Sequence, residues 1–178
     1  MFWILLTIFF ALHNPMTDFT LRKYRELLAI LQKMGYQFLT FEQYCTYSHY
    51  LLGDTSSHPQ KYIILRHDVD LKAPNSLATA QIEHELGINA SYYFRVVPQS
   101  NQPEVIRAIA ALGHEIGYHY EDMALADGDV DAAYVHFQKQ LAYFRSFYPV
   151  RTICMHGAPT SKWDGKDLWK LYDYRALG

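Results

Sequence analysis

Apolar positions recur along this chain in two rhythms, and the alternation between them organises everything after about residue 60. From Thr20 the residues Tyr24, Leu27, Leu28, Leu31 and Met34 recur three and four apart, which predicts a helix closed by Gly35. Gln37 to Phe41 reads as a short strand and is followed by a second helical stretch through Leu52. A polar loop, GDTSSHPQ from Gly53 to Gln60, separates this lead-in from the larger C-terminal part of the chain. Strand-forming residues Tyr62–His67 then lead to a helix from about Asn75 to Leu86, closed by Gly87. Strand Ala90–Val96 leads to a helix with Pro103 in its first turn and Val105, Ile106, Ile109 and Ala110 on one face, ended by Gly113. Strand Glu115–Tyr120 precedes a long helix whose inner stripe is Val130, Ala133, Tyr134, Phe137, Leu141 and Phe144, stopped by Pro149. Strand Arg151–Met155 and a helix starting near Asp164, with Leu168, Trp169 and Tyr172, complete the series. Strand and helix alternating at this spacing predict parallel strands joined by right-handed crossovers.

In such folds chemistry collects at the C-terminal ends of the strands. Three of the four strands end in acid or histidine clusters: RHDVD (66–70), HYED (119–122) and MHGAP (155–159). The fourth ends in RVVPQSN, which is polar but carries no metal-type ligand. Alternation along the first of them puts Asp68 and Asp70 on one face, with His67 and Val69 on the other. An apolar strand that delivers two carboxylates is costly unless they meet a metal, a cation or water.

Composition narrows the class. The chain has 178 residues, 50% hydrophobic and 19% charged, which suits one globular domain with a sizeable core. A net charge of −2 and the lack of a basic stripe give no footprint for nucleic acid. Among 15 tyrosines some could line a carbohydrate cleft, but half-buried surface positions are expected for most. Cys45 and Cys154 match no zinc-ribbon or redox spacing, so a reducing, cytoplasmic setting with free thiols is expected. Residues 1–12, MFWILLTIFFAL, are uncharged and apolar but short for a bilayer, which takes about 20 residues. They also lack the basic start and small-residue cleavage site of an export signal. The working domain is therefore expected to run from Met16 to Gly178, after a leader or extension over 1–15 and with no stable membrane span. Membrane association or export through that apolar start is the alternative.

A hydrolytic metal wants three protein ligands and an open position for water, with a carboxylate nearby as base. The HDVD run can supply one ligand and one base, HYED can supply His119 with Glu121 two residues on, and MHGAP can supply His156. Against this, Asp68 and Asp70 could be capping or salt-bridged acids, and His119 a satisfied core histidine. Glu121 and Asp122 could equally be solvated loop acids. His114 and His67 face away from the acids and read as structural; His84, His136 and His58 read as surface or packing residues.

RHDVD, GHEIGYHYED (113–122) and HGAP, in this order and spacing, resemble a divergent polysaccharide deacetylase of the carbohydrate esterase type, over roughly Tyr62 to Gly178. The resemblance implies an α/β fold, a distorted (β/α) barrel with a helical N-terminal lead-in, binding one divalent metal, usually zinc. Carried over, Asp68 is the general base, Asp70 a metal ligand and His119 the first metal histidine. The second metal histidine would fall four residues later, where this chain has Met123. His156 is the first replacement considered, lying in the region where the family usually places an arginine against the base, and Glu121 is the second. The later motifs of the family, including a general-acid histidine, have no counterpart before Gly178, so a barrel incomplete at its C-terminus, a truncated fragment, is expected. The activity implied is metal-dependent removal of acetyl groups from an acylated sugar or polysaccharide. A non-catalytic relative that binds glycans, and a barrel hydrolase with another substrate, are the alternatives.

Overall fold

A computed structural model describes residues 18–50, 61–157 and 160–177, without the side chains of 48–50. The apolar start over 1–15, His58 with most of its loop, Leu51–Leu52, Ala158–Pro159 and Gly178 lie outside the described residues. The helix expected from Thr20 is α1 (Leu21–Lys33), and Thr20 caps it by accepting a hydrogen bond from Lys23 N at 3.2 Å. After it come β1 (Gln37–Leu39), α2 (Phe41–Tyr50), β2 (Tyr62–Ile64), β3 (Arg66–Val69), α3 (Ala73–Glu85), β4 (Ser91–Phe94) and α4 (Pro103–Ala111). The described chain continues through β5 (Glu115–Tyr120), α5 (Asp122–Leu125), α6 (Val130–Arg145), β6 (Ile153–Met155) and α7 (Leu168–Leu171). Two 3₁₀ turns, Gly165–Asp167 and Tyr174–Leu177, flank α7, so the helix expected from Asp164 is broken into short pieces.

All described strand pairs are parallel. Strands β3, β4, β5 and β6 are neighbours in sequence order, and β1 pairs with β2 in a separate two-stranded ladder. The result is a curled parallel sheet forming a half-barrel, with helices on its outer side. The expected single strand Tyr62–His67 divides at Leu65. Its first half pairs with β1 (Leu39 opposite Ile64) and its second with β4 (Arg66 opposite Ser91). Leu65 makes the handover: its carbonyl accepts from Ser91 N at 3.0 Å. Its side chain packs against both hydrophobic clusters of the protein.

Alternation sorts the sheet into two faces. Outward residues Val69, Tyr92, Phe94, Ile116, Tyr118 and Tyr120 meet the helices and form the main core. On α6 the predicted stripe is borne out by Ala133, Phe137, Leu141 and Phe144, all buried. Tyr118 lies 5.3 and 5.2 Å, centroid to centroid, from Phe137 and Phe144. Burying one such ring contributes about 1.5–3 kcal/mol. Most of the described tyrosines are half-buried or exposed, as expected, and the exceptions sit in the sheet. Tyr92, Tyr93 and Tyr118 are fully enclosed, and their hydroxyls meet Glu83, Thr152 and Asp122.

The inward face is polar at both ends. Glu115, at the start of β5, is buried and accepts from Ser91 Oγ (2.5 Å), from Thr152 Oγ1 and from the backbone N of Glu42 at the start of α2 (3.1 Å). The lead-in helix α2 therefore seats its N-terminus on a buried carboxylate, which suits the positive end of its dipole. One layer up, the ring of Tyr93 crosses the bare backbone of Gly117, where a Cβ would overlap it. Its hydroxyl is held 2.8 Å from Thr152 Oγ1.

Candidate metal centre

At the C-terminal edge of the half-barrel four strand ends converge. Asp70 and Arg95 come one residue beyond the last paired residues of β3 and β4, Val69 and Phe94. His119 stands opposite Cys154 in the β5–β6 ladder, and His156 N extends that ladder by donating to Tyr120 O at 2.8 Å. Three donor atoms meet there. His156 Nδ1 lies 3.1 Å from His119 Nε2 and 3.3 Å from Asp70 Oδ1, and His119 Nε2 lies 3.6 Å from Asp70 Oδ1. Ligands of a tetrahedral zinc-like ion, at bonds of about 2.0–2.1 Å, are separated from one another by about 3.3 Å. The three spacings bracket that value.

Two further observations fit a cation. Asp70 Oδ1 is, among the described residues, the one buried side-chain polar atom without a hydrogen-bond partner. An orphaned carboxylate oxygen facing two imidazole nitrogens is costly unless a positive centre joins them. The tautomer of His119 is also set for coordination. A carbonyl can only accept, so His119 Nδ1 donates to Cys154 O at 3.1 Å, which leaves the Nε2 lone pair facing the cluster. Burial lowers the pKa of His119, against the opposing pull of the Asp68 and Asp70 carboxylates, and so favours the neutral ring that a metal needs. The group Asp70, His119 and His156 could hold a metal ion.

Asp68 stands beside this trio without belonging to it. Its Oδ2 is 3.9 Å from His119 Nε2 and accepts from Arg66 Nη2 at 2.9 Å. The guanidinium comes from two residues earlier on the same strand face and orients the carboxylate. Beyond the trio a cavity of about 490 Å³ opens between the tip of β6 and the segment Ser161–Gly165, with Trp163 and Lys162 on its wall and His156 and Glu121 at its inner end.

The other residues singled out in the sequence fall into distinct environments. Glu121, the second choice for third ligand, is no solvated acid. It is buried and clamped by Arg95, whose Nε and Nη2 donate to its two oxygens at 2.9 and 2.8 Å. Its Oε2 lies 4.0 Å from His156 Nε2 and faces the outer nitrogen of that ring. Met123 is buried in the main core and offers nothing to the cluster. Asp122 is likewise fully buried, correcting the loop reading; Tyr118 donates to it at 2.9 Å and His136 Nδ1 lies 2.5 Å away. His136 is therefore a half-buried partner to a buried acid, in line with the packing reading. His67 faces away from the two acids, as expected, toward Glu83 Oε1 at 2.7 Å. His114 is structural, accepting from Ala90 N and donating to Ala80 O. Sequence reasoning missed Arg95 and gave Arg66 no part. The signal available for Arg95 was its place two residues after Tyr93 on the inward face of β4.

Among the described residues no helix is long and apolar enough to cross a membrane. Comparison of the chain with protein-family models, with curated proteins and with solved structures gave no match, so the assignment rests on the residues themselves.

Proposed function

We propose that this protein is a metal-dependent hydrolase that removes acetyl groups from an acylated sugar or polysaccharide, built on an α/β barrel of the polysaccharide-deacetylase type. The observation that carries the reading is the meeting of Asp70, His119 and His156 at tetrahedral spacing around an orphaned carboxylate oxygen, with Asp68 left beside them. Asp70, His119 and His156 would hold the ion, zinc first among divalent metals because two of the three donors are imidazoles. Such an ion supplies Lewis-acid polarisation of the acyl carbonyl and acidifies water at the site.

The rest of the chemistry falls to the side chains. Asp68, held in place by Arg66, takes the proton of the attacking water. Arg95 fixes Glu121, and Glu121 faces the outer edge of His156. Trp163 gives the adjoining cavity an apolar wall of the kind that sugar rings stack on, and Lys162 gives it a donor. A non-catalytic glycan binder is the competing reading, favoured by the burial of Met123 where the resemblance expects a ligand.

The test is acetate release from acetylated oligosaccharides, paired with metal content. Asp68→Asn should lower turnover by about 100-fold or more, the usual contribution of a general base, and leave one bound ion per chain. Loss of metal together with activity would show Asp68 to be a ligand. Metal uptake by the wild-type protein without any acetate release overturns the deacetylase reading, and retained binding of the oligosaccharide identifies the glycan binder.

A further inference from the structure

His119 belongs to a second donor group. Its Nε2 lies 3.9 Å from Asp68 Oδ2, and Cys154 Sγ lies 3.9 Å from Asp68 Oδ1. The three donors of Asp68, His119 and Cys154 all fall within 4.8 Å of one another. Among the described residues the thiol's hydrogen-bond contacts are two long ones, to Asp68 and, at 3.7 Å, to the carbonyl of Met155. Cys154 points inward because it alternates with Ile153 and Met155 on β6, so the same register that brings His156 to the first group brings the sulfur to the second.

We propose that His119 serves two mutually exclusive metal positions, and that the second, formed by Asp68, His119 and Cys154, takes thiophilic divalent ions and silences the site. Exclusivity comes from the imidazole. Nδ1–H is committed to the Cys154 carbonyl, so a single lone pair on Nε2 is available, and it cannot serve two ions at once. The two positions differ in character. The first offers one carboxylate and two imidazoles at 3.1–3.6 Å and is set for a borderline ion. The second offers a sulfur, which selects softer ions such as cadmium. The two 3.9 Å approaches use different oxygens of Asp68 and the donor set spans up to 4.8 Å, so closing it around an ion with a metal–sulfur bond of about 2.3 Å draws the donors in to about 3.5 Å by rotation of the Asp68 and Cys154 side chains. Binding exchanges the S–H bond for a metal–thiolate bond, and the proton leaves to solvent. Asp68, once coordinated, can no longer accept a proton from water. Binding at this position stands on the donors alone, whereas the silencing rests on the hydrolase reading above.

Titration of the full-length wild-type protein with cobalt(II), and separately with cadmium(II), tests this without depending on how a variant folds. Ligand-field bands report cobalt in either position; a thiolate-to-metal charge-transfer band reports Cys154. Excess metal should produce the charge-transfer band, Cys154→Ser should abolish it and Cys45→Ser should keep it. His156→Ala, which dismantles the first position only, should raise the amplitude of the band at saturation, because two exclusive positions divide one bound ion in a ratio that metal concentration does not change. Cadmium should inhibit acetate release, and in Cys154→Ser inhibition should need about tenfold more, equivalent to about 1.4 kcal/mol of binding. Ligand-field bands in the wild type without a charge-transfer band at saturation in either the wild type or His156→Ala overturn the second position and leave the hydrolase reading intact. Absence of both kinds of band overturns both.

Discussion

Arg95 shows how one residue can govern a site without touching its reacting atoms. Its fork holds both oxygens of Glu121 in a pair that is largely shielded from water, and Glu121 faces the outer nitrogen of His156. If the arginine is shortened, the glutamate keeps its charge in a buried place with nothing opposite. Arg95→Gln should therefore lower metal affinity about 10-fold or more, the scale typical of partners that support metal ligands. The measurement is a competitive chelator titration, and wild-type affinity in the variant would remove Arg95 from the site. Arg66 acts more directly, on Asp68 itself, across an exposed ion pair whose strength will fall with added salt.

At the scale of elements, β5 is the member that binds core and site together. Its outward residues Ile116, Tyr118 and Tyr120 are core, while its inward residues are Glu115, Gly117 and His119. Gly117 is required by the Tyr93 ring lying across it. Gly117→Ala should push that ring off Thr152 at a cost of about 1–3 kcal/mol, read as a shift of the urea midpoint. An unshifted midpoint would show that the ring has room to move. The bounds of this strand were legible in the sequence because a helix-ending Gly113 precedes it and its apolar alternation is intact. Asp68, Asp70, His119 and His156 were legible for the same reason: strand ends collect chemistry, and period two assigns the faces. What escaped depended on partners far away in the chain. Asp122 reads as a loop acid until Tyr118 and His136 are seen around it. Arg95 reads as a solvated strand end until Glu121 is seen, 26 positions on. The division of β2 from β3 was not legible because the change from apolar YIIL to charged RHDV reads as a strand reaching its polar tip, and nothing in it marks a change of pairing partner.

Across the whole molecule, buried polar clusters couple folding to pH. His114 is fully enclosed, and burial holds its pKa below the usual histidine value, the nearby Glu83 carboxylate pulling weakly the other way; His119 is displaced in the same direction. The unfolded chain therefore binds protons that the folded protein refuses. Stability is fully present above the unfolded value of about 6.5 and is lost as pH falls from there toward the depressed folded value, by up to about 1.4 kcal/mol per pH unit for each such ring. Urea midpoints should accordingly drop between about pH 7 and pH 5.5, and a bound divalent ion should deepen the drop because protons compete for His119. A midpoint independent of pH over that span would mean that neither histidine is held neutral. Glu83 works on the other side of the sheet. Burial raises its pKa, but contacts from His67, Tyr24 and Tyr92 outweigh this and keep it low, so α1 is tied to the sheet through an ionised carboxylate.

The handover at Leu65 gives this architecture a mechanical property. Three residues separate the end of the β1–β2 ladder from Asp68, and they are continuous backbone with no loop to take up slack. The lead-in ladder and the acid pair are thus coupled in series, like two loads on one taut cord. A pull applied to β1 reaches the carboxylates before it reaches any helix of the half-barrel.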